Sequence, residues 1–142
     1  MGSLVRLEAW AVVAGLALPL AGAEAAPSLA NRVAVLQGLD KVTARTSIIE
    51  APVGSEVMFG TLGIIPRTCL TTPPTEPPES AAFLEIRSLA PGEPPRPAFN
   101  GWMFASSPAL SALEHPVYDV WLIDCREPVD PASAADPTTP RP

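Results

Sequence analysis

Basic residues are scarce: nine Lys and Arg against fifteen Asp and Glu give a formal net charge of -6, and no run of basic side chains occurs. Counterion release, the main attraction in nucleic-acid binding, therefore has no source, and neither has attraction to anionic lipid headgroups. A single His and two Cys fall short of the four nitrogen or sulfur ligands of a usual structural zinc site. The acids are dispersed along the chain, so calcium and magnesium lack the converging oxygens they need. No glycine-rich phosphate loop of either common type occurs. These absences predict no metal, no cofactor and no nucleic-acid partner.

What is abundant is proline, 19 in 142 residues, on a background that is 47% hydrophobic and 17% charged. Proline at this density breaks helices by removing backbone donors and by steric clash, which excludes an all-α bundle and favours strands, turns and extended loops. The length allows one small domain.

Residues 1–25 read as a secretory signal peptide. Arg6 stands near the amino terminus, the stretch from Ala9 to Ala23 is uncharged and apolar, and small residues follow up to Ala25, just before Ala26-Pro27. That stretch carries Pro19 and is shorter than the roughly 20 residues a membrane span requires. Cleavage is expected after Ala25, or alternatively after Ala23, releasing a periplasmic protein with no membrane insertion. No Cys stands at the cut to take a lipid. Export changes the meaning of Cys69 and Cys125, because thiols pair in an oxidising compartment. Their disulfide would stabilise the fold by roughly 4 kcal/mol in the chain-entropy model. A redox-active or nucleophilic role fits less well, since neither Cys belongs to a C-x-x-C motif or stands beside a His.

Residues 26–38 form an N-terminal arm whose Leu29, Val33 and Leu36 suit a helix or a strand. A β domain is expected over residues 39–126. Val42, Ala44, Thr46 and Ile48 alternate with Thr43, Arg45, Ser47 and Ile49, the period of a half-buried strand. A turn at Pro52 to Ser55 leads to a short strand at Val57 and Phe59. A third strand follows, Leu62 to Leu70, in which Pro66 predicts an edge or a bulge. Thr71 to Glu79 and Pro91 to Pro97 are proline-rich surface loops flanking a strand from Ala81 to Leu89. Prolines in the first loop suit a proline-recognising domain, although a stiff loop needs no partner. Phe99 to Phe104 reads as a buried strand. Ser107 followed by Pro108 is a helix-start signature, with Ser107 capping and Pro108 at the first helical position. The short helix from Pro108 to Leu113 would dock Leu110 and Leu113 on the sheet. Val117 to Cys125, apolar on both parities, reads as a central strand covered on both sides. Residues 127–142 form a proline-rich tail expected to be disordered. The fold class is all-β, a small β-sandwich or open barrel with one short helix.

Leu39-Asp40-Lys41-Val42-Thr43-Ala44-Arg45-Thr46, Phe59-Gly60-Thr61-Leu62, Pro77-Pro78-Glu79 before Ala81 to Ile86, and the run from Gly101 to Cys125 resemble an alphaproteobacterial exported family described only as domain of unknown function 2155. The resemblance implies a bacterial periplasmic protein and carries over no catalytic residue. Pro66 departs from the strand-compatible residue expected there.

Any histidine mechanism must run through His115, with Asp119 and Ser107 or Ser111 as nearby partners. The competing role for His115 is a turn residue before Pro116, bonded to backbone. Asp119 and Asp124, five apart on one strand, are expected on opposite faces. Trp102 and Tyr118 are the aromatic residues expected to bind a sugar ring or peptide, the remaining aromatic residues filling the core. The functional expectation is a non-catalytic interaction module of the bacterial envelope, binding an envelope protein or a wall or surface component. The alternative is a small periplasmic hydrolase or transferase relying on His115.

Overall fold

The computed structural model describes Gly2 and residues 28–129. The signal peptide expected at 1–25 and the tail beyond 129 lie outside the described residues.

Two antiparallel sheets face each other. The first orders β1 (Leu29–Ala30), β5 (Leu62–Thr71), β6 (Ser80–Ser88) and β7 (Arg96–Phe104), with β4 (Val57–Phe59) also paired to β5. The second orders β3 (Arg45–Pro52), β2 (Val33–Asp40), β9 (Tyr118–Arg126) and β8 (Leu113–Glu114). One helix, α1 (Pro108–Ser111), lies on the passage from the first sheet to the second. The expected all-β class holds as an open sandwich; among the described residues no barrel closes. Apolar residues at alternate positions fill the space between the sheets: Leu62, Ile64, Leu84, Ile86 and Met103 from one, Leu36, Ile49, Val120 and Leu122 from the other.

Several expectations change. The arm ending at 38 is not an arm, because Val33–Asp40 is an interior strand hydrogen-bonded to both β3 and β9. Its period was obscured by small inward residues, Ala34 and Gly38. A β-carbon on Gly38 would meet the Phe59 ring at 2.6 Å and Ile49 at 2.9 Å, so the glycine makes room for the aromatic ring. The strand expected around Val42 is instead a turn. Asp40 Oδ1 accepts the Val42 and Thr43 N–H groups (2.9 and 3.1 Å), Ala44 adopts φ 52°, and the strand resumes at Arg45. Those amides hold the Asp40 carboxyl below the ordinary carboxylate range, Thr43 N–H foremost.

The helix ends at Ser111 instead of Leu113. Ser107 makes no side-chain cap, Leu110 is 83% exposed instead of docked, and Leu113 is buried as part of β8. One turn of helix is too short to bury a face while its chain crosses between sheets. Strand β7 is an edge, and only Met103 along it is fully buried. Strand β9 is covered on one face, with Val120, Leu122 and Cys125 inward.

Of the edge or bulge expected at Pro66, the bulge is found and not the edge, because β5 is paired on both sides. The β5–β6 register shifts between Pro66 and Thr68, and Pro66 lies between the stretches of β5 paired to β4 and β1. Its carbonyl there accepts the Gly54 N–H at 2.8 Å. A second bulge in the β2–β9 ladder leaves Ile123 as the extra residue. These two bulges decide where the cysteines point. Inward positions on β5 run Leu62, Ile64, Pro66 and then Cys69; on β9 they run Val120, Leu122 and then Cys125. Each cysteine faces the core because one residue is inserted before it. Cys69 and Cys125 form the expected disulfide, which ties the first sheet to the second.

Candidate functional site

His115, Asp119 and Ser107, the residues of the alternative catalytic reading, form no hydrogen-bonded relay. His115 holds the turn between β8 and β9: its N–H donates to the Tyr118 carbonyl at 2.9 Å, and its Nδ1 accepts the Val117 N–H at 3.2 Å. Its ring stacks on Tyr118 with centroids 5.8 Å apart. Asp119 is taken by Lys41, whose Nζ lies 2.7 Å from Asp119 Oδ1 and also donates to the His115 carbonyl at 2.9 Å. Ser107 Oγ has Ser106 Oγ at 3.5 Å as its side-chain partner. His115 therefore fills the turn role, and Lys41, unnoticed in the sequence as a site residue, is the cation that ties this corner. Asp119 and Asp124 do not meet. The bulge at Ile123 breaks the alternation used to place them on opposite faces, and Asp124 Oδ1 instead accepts Ser80 Oγ at 2.9 Å.

The aromatic residues divide in a way alternation alone did not reveal. Phe59, Phe99 and Tyr118 pack against the core. Tyr118 is flanked by His115 and, edge to face at 5.3 Å, by Phe59, so it offers little free ring surface. Trp102 differs. It lies on the outer face of the first sheet, 40% exposed, directly across from Phe83, with the two rings edge to face at 5.6 Å. Phe104, likewise 40% exposed, follows two residues along the same strand opposite Ala81, and hence on the same face. Trp121, expected in the core, stands on the outer face of the second sheet, between the inward Val120 and Leu122.

Charge is kept to the other end of this aromatic face. Glu85, opposite Asn100, is paired with Arg67 at 2.7 Å, and Arg87 with Glu56 at 2.6 Å. The Arg67 hydrogen bond holds the Glu85 carboxyl below its usual range and raises the guanidinium in return. From Pro97 to Leu113 the chain carries no charged residue. The result is an uncharged aromatic strip, Phe83, Trp102 and Phe104, beside the exposed Leu110.

Glu79 is the structural residue that sequence reasoning missed. Burial pushes its pKa up, but the Ser106 hydroxyl and the N–H groups of Ser106, Ser80 and Ala105 outweigh this and hold it low. Its carboxylate accepts Ser106 N–H at 3.1 Å and Ser80 N–H at 3.0 Å, while its own N–H donates to Thr72 Oγ1 at 3.0 Å. It fastens the proline-rich β5–β6 loop to the Ser106 turn. That loop is itself bent by a Glu76 N–H to Pro73 carbonyl bond of 2.9 Å, not a continuous polyproline helix.

A groove of about 660 Å³ opens at the end where the described chain enters and leaves the sandwich, lined in part by Arg32, Val33, Pro52, Val53 and Val129. Beside it Arg32 pairs with Glu127 at 2.8 Å, and Glu50 with Arg126. Among the described residues no group of three or more His, Cys, Asp or Glu gathers as metal ligands.

A family model described as an uncharacterized protein conserved in bacteria, DUF2155, matches residues 34–125. An uncharacterized protein of Rickettsia prowazekii, RP359, is 32% identical over 87 residues, covering 61% of this chain and 56% of its own length. The chain thus aligns with little more than half of that relative. No solved structure matches significantly. The matched segment starts inside β2 and ends at Cys125, taking in the interior strands of both sheets and both cysteines, and the chain belongs to the DUF2155 family of conserved bacterial proteins.

Proposed function

We propose that this protein is a non-catalytic interaction module of the bacterial cell envelope, exported to the periplasm, which holds an envelope protein or a wall or surface component on the outer face of its first sheet. One observation carries the reading: Trp102, exposed on the outer face in a stretch, Pro97 to Leu113, that carries no charge, stands edge to face with the half-buried Phe83, although the chain as a whole is acidic. Large aromatic side chains outside the core cost solubility and serve binding, because their faces stack on sugar rings and fit apolar peptide surfaces. The side of edge strand β7 that no strand pairs among the described residues adds a row of backbone groups to which an extended partner segment can hydrogen-bond. Export is supported by the order of residues 1–25 and agrees with the disulfide, which persists in an oxidising compartment.

The experiment is photo-crosslinking in living cells from p-benzoylphenylalanine placed at position 102, with position 114 as the exposed control. A product of defined mass, or attachment to wall material, from position 102 and not from 114 supports the reading. Equal or no products from both positions remove it.

A further inference from the structure

The disulfide stands at a pinch in the sandwich. Facing sheets normally lie about 10 Å apart, whereas the Cα atoms of Cys69 and Cys125 are 5.6 Å apart. The surrounding inward positions explain how the sheets come so close. Across the second sheet the row reads Ala51, Ala34, Cys125; across the first, Cys69 lies opposite Ala82. All three alanines are fully buried. The first-sheet row continues from Ala82 to Met103, its one large member, and away from these rows the inward residues are Leu36, Ile49, Ile64, Leu84, Ile86 and Leu122. An alanine buries one methyl where a leucine buries a whole branched side chain, so beyond Met103 the cysteine row has little apolar surface holding it shut.

The other ties at this end are polar or short. Strand β1 contributes two paired residues and the Asn31 N–H to Cys69 carbonyl bond of 2.8 Å. Ser80 Oγ reaches Asp124, and the Cys125 N–H lies 3.3 Å from the same hydroxyl. The ion pairs Arg32–Glu127 and Glu50–Arg126 are exposed and contribute little. The opposite end is held by the Phe59–Tyr118 pair over Gly38 and Gly60 and by Lys41.

We propose that the Cys69–Cys125 bond is a redox-sensitive latch on one end of the sandwich: reduction frees β1 and the last residues of β5 and β9, and with them the walls of the groove beside Val33, while the large-residue core stays folded. In the step itself one thiolate of a dithiol reductant attacks a cysteine sulfur and expels the other cysteine; the reductant's second thiol then attacks its own first sulfur in the mixed disulfide and expels the remaining cysteine. The reductant leaves as a disulfide, and Cys69 and Cys125 each gain a proton as thiols. Both cysteines are buried, at 1% and 4% exposure, so the exchange needs this end to open, and the Ser80 hydroxyl, bonded to Asp124 and 3.3 Å from the Cys125 N–H, is one of the ties that must release.

Hydrogen exchange on the full chain, oxidised and then reduced with dithiothreitol, tests this. On reduction, amides of residues 29–31, 67–71 and 123–126 are expected to exchange faster than those of 57–64 and 118–122 by on the order of tenfold or more, the latter losing only the protection that the lowered global stability takes from every amide. The Cys69→Ala/Cys125→Ala variant should give the reduced pattern without reductant, and Ser80→Ala should speed reduction of the native bond. An equal loss of protection at both ends shows that the two ends are not separable and overturns the proposal. Unchanged exchange on reduction also overturns it.

Discussion

Gly60 lies directly beneath the ring of Tyr118, with φ +57°, and a β-carbon there would collide with the tyrosine hydroxyl and ring. Two demands meet at one residue, a left-handed backbone and contact with an aromatic ring from the opposite sheet. Gly54 separates them, since its φ is +83° and nothing lies near its absent side chain. Gly54→Ala is expected to cost about 1 kcal/mol, the backbone strain alone. Gly60→Ala should cost about 3 kcal/mol or more, because Tyr118 must also move. Urea unfolding midpoints of the two variants measure the difference.

Lys41 joins the turn after β2 to the His115 carbonyl and the Asp119 carboxylate. Lys41→Met removes the cation and leaves Asp119 half-buried without it. Both groups keep part of their hydration, so the loss should be modest, about 1 kcal/mol. Thermal unfolding at two salt concentrations checks it: the difference between wild type and variant should shrink at the higher salt.

Glu79 links acid sensitivity to a particular turn. Its folded pKa lies below the ordinary glutamate value of 4.5, so the folded state binds fewer protons than the unfolded state through that window. Its contribution is present above about pH 4.5 and is lost as pH falls through the lowered folded value. Glu79→Gln should therefore be less stable than wild type at neutral pH, and the gap should narrow on acidification. A gap independent of pH between 3 and 7, roughly the range spanning carboxylate titration, would contradict this assignment.

The disulfide closes a sequence separation of 56 residues. Cys69→Ala/Cys125→Ala should lower the unfolding free energy by about 4 kcal/mol if the bond acts mainly on the unfolded chain. Equilibrium denaturation of the variant beside oxidised wild type provides the number.

Much of the sandwich was legible because alternation, turn residues and proline each act locally. Pro66 announced its bulge, Pro52 to Ser55 the turn before β4, and the two cysteines their bond. What escaped depended on partners far along the chain. The bulge at Ile123 made β9 look apolar on both sides: the inward set changes parity within the strand, and the outward set includes Trp121 and Ile123. Strand β2 was hidden because Ala34 and Gly38 are small for reasons on other strands, the cysteine pinch and the Phe59 ring. Asp40 overrode the alternation around Val42 by bonding two turn amides. At the site, the turn role weighed for His115 was legible because its bonds to Val117 and Tyr118 are local, whereas the tie from Lys41 spans a sequence separation of 74 and was not. Trp102 was rightly marked as an aromatic residue apart from the core; its partner Phe83 became visible only with the β6–β7 register.

The most direct test of the interaction reading sets two variants side by side in a bacterium lacking its own copy, scored by rescue of the deletion phenotype. Both are first shown to be exported and folded by circular dichroism of periplasmic extracts. The account predicts that His115→Ala restores function and that Phe83→Ser/Trp102→Ser does not. Rescue by the aromatic variant together with failure of a folded His115→Ala would contradict it and return the protein to the histidine-dependent alternative.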